Sequence, residues 1–157
     1  MRTRPTRPLL DHEIGTHLLT YFNGRAQPFQ QLYLGLAGYD ELQEGLAVLA
    51  EYLVGGLSRP RLRLLAVRVL AVKCLLDGAT FIETFRELNS AYGFKRATTF
   101  ALVARVFRSG GLTKDAVYLR GLRKILDYFR DDGEVELLFV GKIAMRHISV
   151  MRELRDR

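Results

Sequence analysis

Disulfides, membrane spans, repeats and clear β signals are all missing from this chain, and each absence excludes a class of protein. Cys74 is the single cysteine among 157 residues, so no disulfide framework forms within the chain and a reducing cytoplasm is the expected compartment. Set in the apolar stretch Leu70–Leu76, it reads as a small buried thiol that packs as a hydrophobe. No apolar run approaches the roughly 20 residues that cross a bilayer, so no membrane partner is expected. Residues 1–8 form a basic leader without the apolar core of about 7 to 15 residues that a secretory signal needs. Internal repeats and low-complexity tracts are absent, and Val135 to Val140 is the only plausible strand.

What remains is an ordinary globular composition, with 48% hydrophobic and 26% charged residues, enough for one domain with a sizeable core. Residues 9–157 are expected to form a single helical domain. The formal charge of +7 suits an anionic partner, but Arg59, Arg61, Arg63 and Arg68 on solvated helix faces account for the excess without one. No specific nucleic-acid partner is therefore expected; nonspecific binding through the arginine faces would weaken steeply with salt.

The periodicity is helical almost throughout, so the expected fold class is all-α. A first helix runs from Leu9 to Phe22 and stops at Asn23-Gly24. Residues 25–39 read as a loop. Asp40 resembles an N-cap, with Gln43 three positions on, for a helix over about 40–54. A third, over about 61–76, is apolar all round and suggests a buried, central element. Thr80 with Glu83 forms a capping box for a fourth, to about Tyr92. Lys95 to Arg108 gives a fifth, and Thr113 opens a sixth that runs to about Phe129. The remainder reads as one or two helices broken near Gly141, with His147 in a structural role.

The chemistry concentrates in the first two helices. His12 and His17 flank Glu13-Ile-Gly-Thr, and Glu44 follows in Gln43-Glu-Gly-Leu-Ala47. Zinc peptidases space two histidines four apart, which puts both rings on one helix face. Here the separation is five, which at about 3.6 residues per turn rotates the second ring roughly 140° from the first. A π-bulge over Glu13 to Thr16 would restore a common face, and Gly15 is the residue best able to absorb it. Glu44 would then complete a three-ligand zinc site with an open fourth position, leaving Glu13 to move a proton. The same short pattern also suits two ordinary, partly buried histidines.

HEIGTH over 12–17, QEGLA over 43–47 and the segment Arg105–Leu122 together resemble the flavohemoglobin expression-modulating QEGLA motif proteins, whose relatives include the microtubule-associated tyrosine carboxypeptidases. The similarity covers about residues 9–148. It implies that His12, His17 and Glu44 are the zinc ligands and Glu13 the catalytic carboxylate of a zinc metallocarboxypeptidase, in a helical zinc-peptidase-like arrangement. It also implies that the chain corresponds to the C-terminal part of a longer catalytic domain.

A carboxypeptidase must hold a free α-carboxylate, for which a guanidinium fork is well shaped. Arg105, Arg108 and Lys114 cluster around Gly110-Gly111 as candidates, and Tyr118, one turn after Lys114, could donate to the oxyanion. Solvent-facing cations and a core tyrosine are the plainer readings of the same residues. The expected partner is a peptide or protein C-terminus; the alternative to an enzyme is a noncatalytic helical interaction module.

Overall fold

The helical period of the sequence carries directly into the computed structural model, which describes residues 10, 12–108 and 114–156. Among these every regular element is helical and no strand occurs. The basic leader, Asp11, Gly110-Gly111 and the Thr113 cap lie outside the described residues. No described helix is long and apolar enough to cross a membrane.

The chain divides into two compact units, one comprising the chain up to Ser58 together with Val117–Arg157, the other Arg59–Ala116. In the first, a π turn over Glu13–Leu18 runs directly into α1 (Leu19–Ala26). After α2 (Gln31–Leu34) comes α3 (Tyr39–Leu53). The second unit holds α4 (Arg59–Leu76), α5 (Phe81–Tyr92) and α6 (Arg96–Arg108). Helix α7 (Lys114–Arg130) begins at the end of the second unit and continues in the first. A single turn α8 (Val135–Leu138), a 3₁₀ turn Met145–His147 and α9 (Ile148–Arg155) complete the first unit.

Asn23-Gly24 does not end the first helix. Gly24 is needed for close approach: a Cβ there would lie 2.4 Å from the Leu32 carbonyl oxygen. Asn23 donates from Nδ2 to the Phe139 carbonyl at 2.9 Å, so both residues knit α1 to its neighbours while the helix runs on to Ala26. The segment 25–39 is not all loop, since α2 lies within it and buries Leu32. Gly38, not Asp40, caps α3; Asp40 falls in the first turn.

Glycine also sets the α3–α7 crossing. A Cβ on Gly121 would lie 1.9 Å from the Glu41 carbonyl oxygen, and one on Gly45 would lie 2.4 Å from the Gly121 carbonyl carbon. Backbones therefore touch there, and Glu41 reaches Arg120 and Lys124 on α7. Beside this crossing Leu32, Leu42, Leu46, Ile125, Leu138 and Ile143 form the unit's apolar core.

Val135 to Val140 is helical at its start rather than a strand, because Leu137 and Leu138 both turn into that core. The chain does break near Gly141, where Lys142 donates to the Leu32 carbonyl and accepts from Leu36 N–H at 2.9 Å. His147 accepts the Ala144 N–H through Nδ1 at 3.1 Å, a local structural role. Burial and the Arg146 charge lower its pKa.

In the second unit the capping box at Thr80 and Glu83 forms as the sequence dictates. Val67, Ala71, Leu88, Leu102, Val103 and Val106 make its core, with Phe81 edge-on to Phe100 and Phe107 at 5.5 and 5.6 Å. Helix α4 is not buried all round: Leu65, Val67, Ala71 and Val72 face inward, while Leu62 and Leu76 are exposed. Two of its arginines are not merely solvated either. Arg63 donates to the Tyr92 carbonyl at 2.7 Å and lies over the Phe94 ring, and Arg68 pairs with buried Asp115 at 3.6 Å. Cys74 is half-buried rather than buried, with its thiol 3.7 Å from a Glu87 carboxylate oxygen. Burial, then the Glu87 charge, pushes its pKa up.

Candidate metal centre

A common face for His12 and His17, five residues apart, calls for a widened turn, and a widened turn is there. The π turn starts at Glu13, directly after His12, and extends to Leu18, two residues beyond the expected Thr16. Leu19 N–H reaches back to the Ile14 carbonyl, the five-residue spacing of π geometry. As a result the two imidazole rings meet edge-to-face with centroids 5.2 Å apart.

Neither space nor a left-handed φ demands glycine at position 15. Gly15 is exposed, and a Cβ there would meet nothing within 4 Å. The turn is held instead from its buried side, by Thr16 and Thr20, both fully buried. Thr20 Oγ1 lies 2.8 Å from the Thr16 carbonyl and 2.7 Å from Gln43 Oε1, its single hydrogen serving one of them at a time.

Helix α3 packs against this turn and brings three polar side chains to it. Gln43, Glu44 and Glu51 fall on one side of α3, since seven residues make about two turns. Glu51 Oε1 lies 3.0 Å from His12 Nδ1, and Gln43 Oε1 lies 3.3 Å from His17 Nδ1. Glu44 Oε2 stands 3.8 Å from His12 Nε2. It is buried and has no hydrogen-bond partner. The hydrogen bond to Glu51 raises the His12 pKa; burial opposes this, and the charges of Glu51, Glu44 and Glu13 add to the rise.

His12, His17 and Glu44 each offer one ligand atom within 4.8 Å of the others. The 3.8 Å between His12 Nε2 and Glu44 Oε2 is near the roughly 3.4 Å that tetrahedral ligands keep around one zinc-sized ion. A buried carboxylate oxygen without a donor is costly unless a cation compensates it, so the orphaned Glu44 oxygen fits a bound metal. Two imidazoles and one carboxylate make the donor set of an ion with an open fourth position.

One model matches the whole chain, residues 1–157: microtubule-associated tyrosine carboxypeptidase. The chain belongs to that family. Neither the curated proteins nor the solved structures yield a match. Membership of a carboxypeptidase family agrees with the QEGLA-type resemblance and gives the cluster a chemical context at the family level, hydrolysis at a peptide C-terminus.

The other expected site residues are placed as follows. Glu13 is exposed on the π turn, next to His12 in the chain. Tyr118 is half-buried on α7, in the same unit as His12, His17 and Glu44. Arg105 and Arg108 on α6 and Lys114 on α7 belong to the other unit, and all three are exposed. Arg105 directs Nε to Asp115 at 2.7 Å, sharing that buried carboxylate with Arg68. Sequence reasoning missed Gln43 and Glu51 as partners of the two histidines. The available signal was their position: two polar residues beside Glu44 on the otherwise apolar inner face of α3.

Proposed function

We propose that this chain is a zinc-dependent metallopeptidase of carboxypeptidase type, with His12, His17 and Glu44 holding the ion. The observation that carries the proposal is the buried Glu44 oxygen, left without a hydrogen bond in a cluster with two imidazoles. Family membership supports the reaction class. Zinc in a three-ligand site supplies Lewis acidity and brings the pKa of water toward neutrality.

The chain's own residues do the rest. Exposed Glu13, next to a ligand on the π turn, takes a proton from the attacking water and returns it to the leaving amine. The Tyr118 hydroxyl donates to the oxygen that gains charge on the scissile carbonyl. Arg108, Lys114 and Arg105 are the cations proposed to hold the substrate α-carboxylate, Arg105 while tied to Asp115. The substrate is a peptide or protein C-terminus, met in the cytoplasm.

The test is a zinc assay by plasma mass spectrometry joined to mass spectrometry of a C-terminally diverse peptide library. The wild type is expected to carry one zinc and to remove a terminal residue. Glu13→Gln is expected to keep the zinc and lose about 10²- to 10⁴-fold in turnover. A wild-type chain that takes up no zinc, or a Glu44→Ala variant that takes up as much, would falsify the site.

A further inference from the structure

Each ligand histidine has two ring nitrogens, and only the one without a hydrogen can bind a metal. Which one that is depends on the partner of the other. His12 Nδ1 faces Glu51 Oε1 at 3.0 Å. An ionised carboxylate only accepts, so Nδ1 must carry the hydrogen, and in the neutral ring Nε2, 3.8 Å from Glu44 Oε2, keeps its lone pair. His17 Nδ1 faces Gln43 Oε1 at 3.3 Å; with the amide oxygen accepting, Nδ1 carries the hydrogen and Nε2 would be the nitrogen left to bind a metal.

The Gln43 orientation seen here carries a cost. Its oxygen faces both His17 Nδ1 and Thr20 Oγ1, whereas its Nε2 is buried with no partner. The reverse orientation would let the amide donate to Thr20 Oγ1 and to His17 Nδ1. The imidazole hydrogen would then move to Nε2 and close that ring to a metal. Thr20 lies just beyond the π turn, so the same amide also ties the widened turn to α3.

We infer that Glu51 and Gln43 are positioning residues that set the tautomers of His12 and His17, so that α3 supplies one ligand and orients the other two. This rests on the metal-site reading of the same cluster. Neither residue touches the ion; each acts through the imidazole it accepts from. Partners of this kind change metal affinity by about 10- to 100-fold when lost.

Two measurements test it. In metal-free protein at about pH 9, above the usual imidazole range, nitrogen-15 correlation spectra are expected to show the hydrogen on Nδ1 of both His12 and His17; an Nε2–H form at either position overturns the role of its partner. Zinc affinity by chelator competition, with the visible spectrum of the cobalt-substituted protein, gives the second readout. Glu51→Met and Gln43→Met keep the volume and remove the acceptor, and are expected to weaken binding by about 10- to 100-fold. Wild-type affinity in either, with helicity and melting retained, overturns the inference. Should a methionine variant not fold, Glu51→Gln and Gln43→Glu decide: weaker binding in the first and tighter in the second support the inference, and unchanged affinity in both rejects it. A wild type that takes up no zinc sinks the metal site itself, whereas the metal-free tautomer measurement still decides this inference.

Discussion

Each compact unit buries a carboxylate oxygen, and the two surroundings differ. In the unit Arg59–Ala116, Asp115 lies between two guanidiniums, Arg105 at 2.7 Å and Arg68 at 3.6 Å, so its charge is compensated by the protein. In the other unit, Glu44 turns a buried oxygen toward the His12 imidazole at 3.8 Å without a hydrogen bond. An imidazole is neutral unless protonated, so the balancing charge there is available for an ion to provide. The contrast extends to the helices. The described helices of the Asp115 unit are regular, with Thr84 and Thr99 buried among them, whereas the other unit departs from α geometry at the π turn, beside which Thr16, Thr20, Gln43 and Glu51 are buried. Irregular backbone and buried polar groups coincide where His12, His17 and Glu44 converge.

Opposite substitutions sharpen that difference. In the Asp115 unit the core should suffer most from lost volume. Leu88 is fully buried there, and Leu88→Ala is expected to cost about 2–5 kcal/mol in chemical denaturation of the metal-free chain. In the metal-cluster unit the α3–α7 crossing should suffer from added volume. Gly121→Ala puts a methyl group 1.9 Å from the Glu41 carbonyl and is expected to cost about 1–3 kcal/mol or more. A neutral Gly121→Ala would mean that α3 and α7 do not meet backbone to backbone, and the placement of α3 against the π turn would lose support.

The same contrast governs how much was legible in the sequence. Regular features read well: the capping box at Thr80 and Glu83, the break near Gly141 and the extents of α3, α5 and α6 follow from local rules. The π turn was legible because two imidazoles five residues apart share a face only where the helix widens between them. What failed was long-range. Gly24 looks like a helix stop, and only the Leu32 backbone pressed against it shows a contact glycine. Arg63 and Arg68 look solvated until Phe94, Tyr92 and Asp115 are placed beside them. Gln43 reads as part of a helix start, although its amide is a partner of His17 across 26 residues of chain. No local pattern encodes which side chain of another helix an imidazole will meet.

Gly15 offers the finest test of what holds the π turn. Were glycine's backbone freedom the cause, Gly15→Ala would stiffen the segment against the distortion, pull His12 and His17 apart and weaken zinc uptake. The surroundings argue otherwise: Gly15 is exposed, its φ is not in the left-handed region, and a Cβ would meet nothing. The turn is held from the opposite side by buried Thr16 and Thr20 and by the contact of Thr20 with Gln43. Alanine in a helical position without steric conflict restricts the unfolded chain, so Gly15→Ala is expected to raise stability by about 0.5–1 kcal/mol and to leave zinc affinity unchanged. Thermal melting and chelator competition on the same variant separate the two accounts: a loss of affinity returns the π turn to its glycine, and a stabilised protein with unchanged affinity leaves it with the threonines.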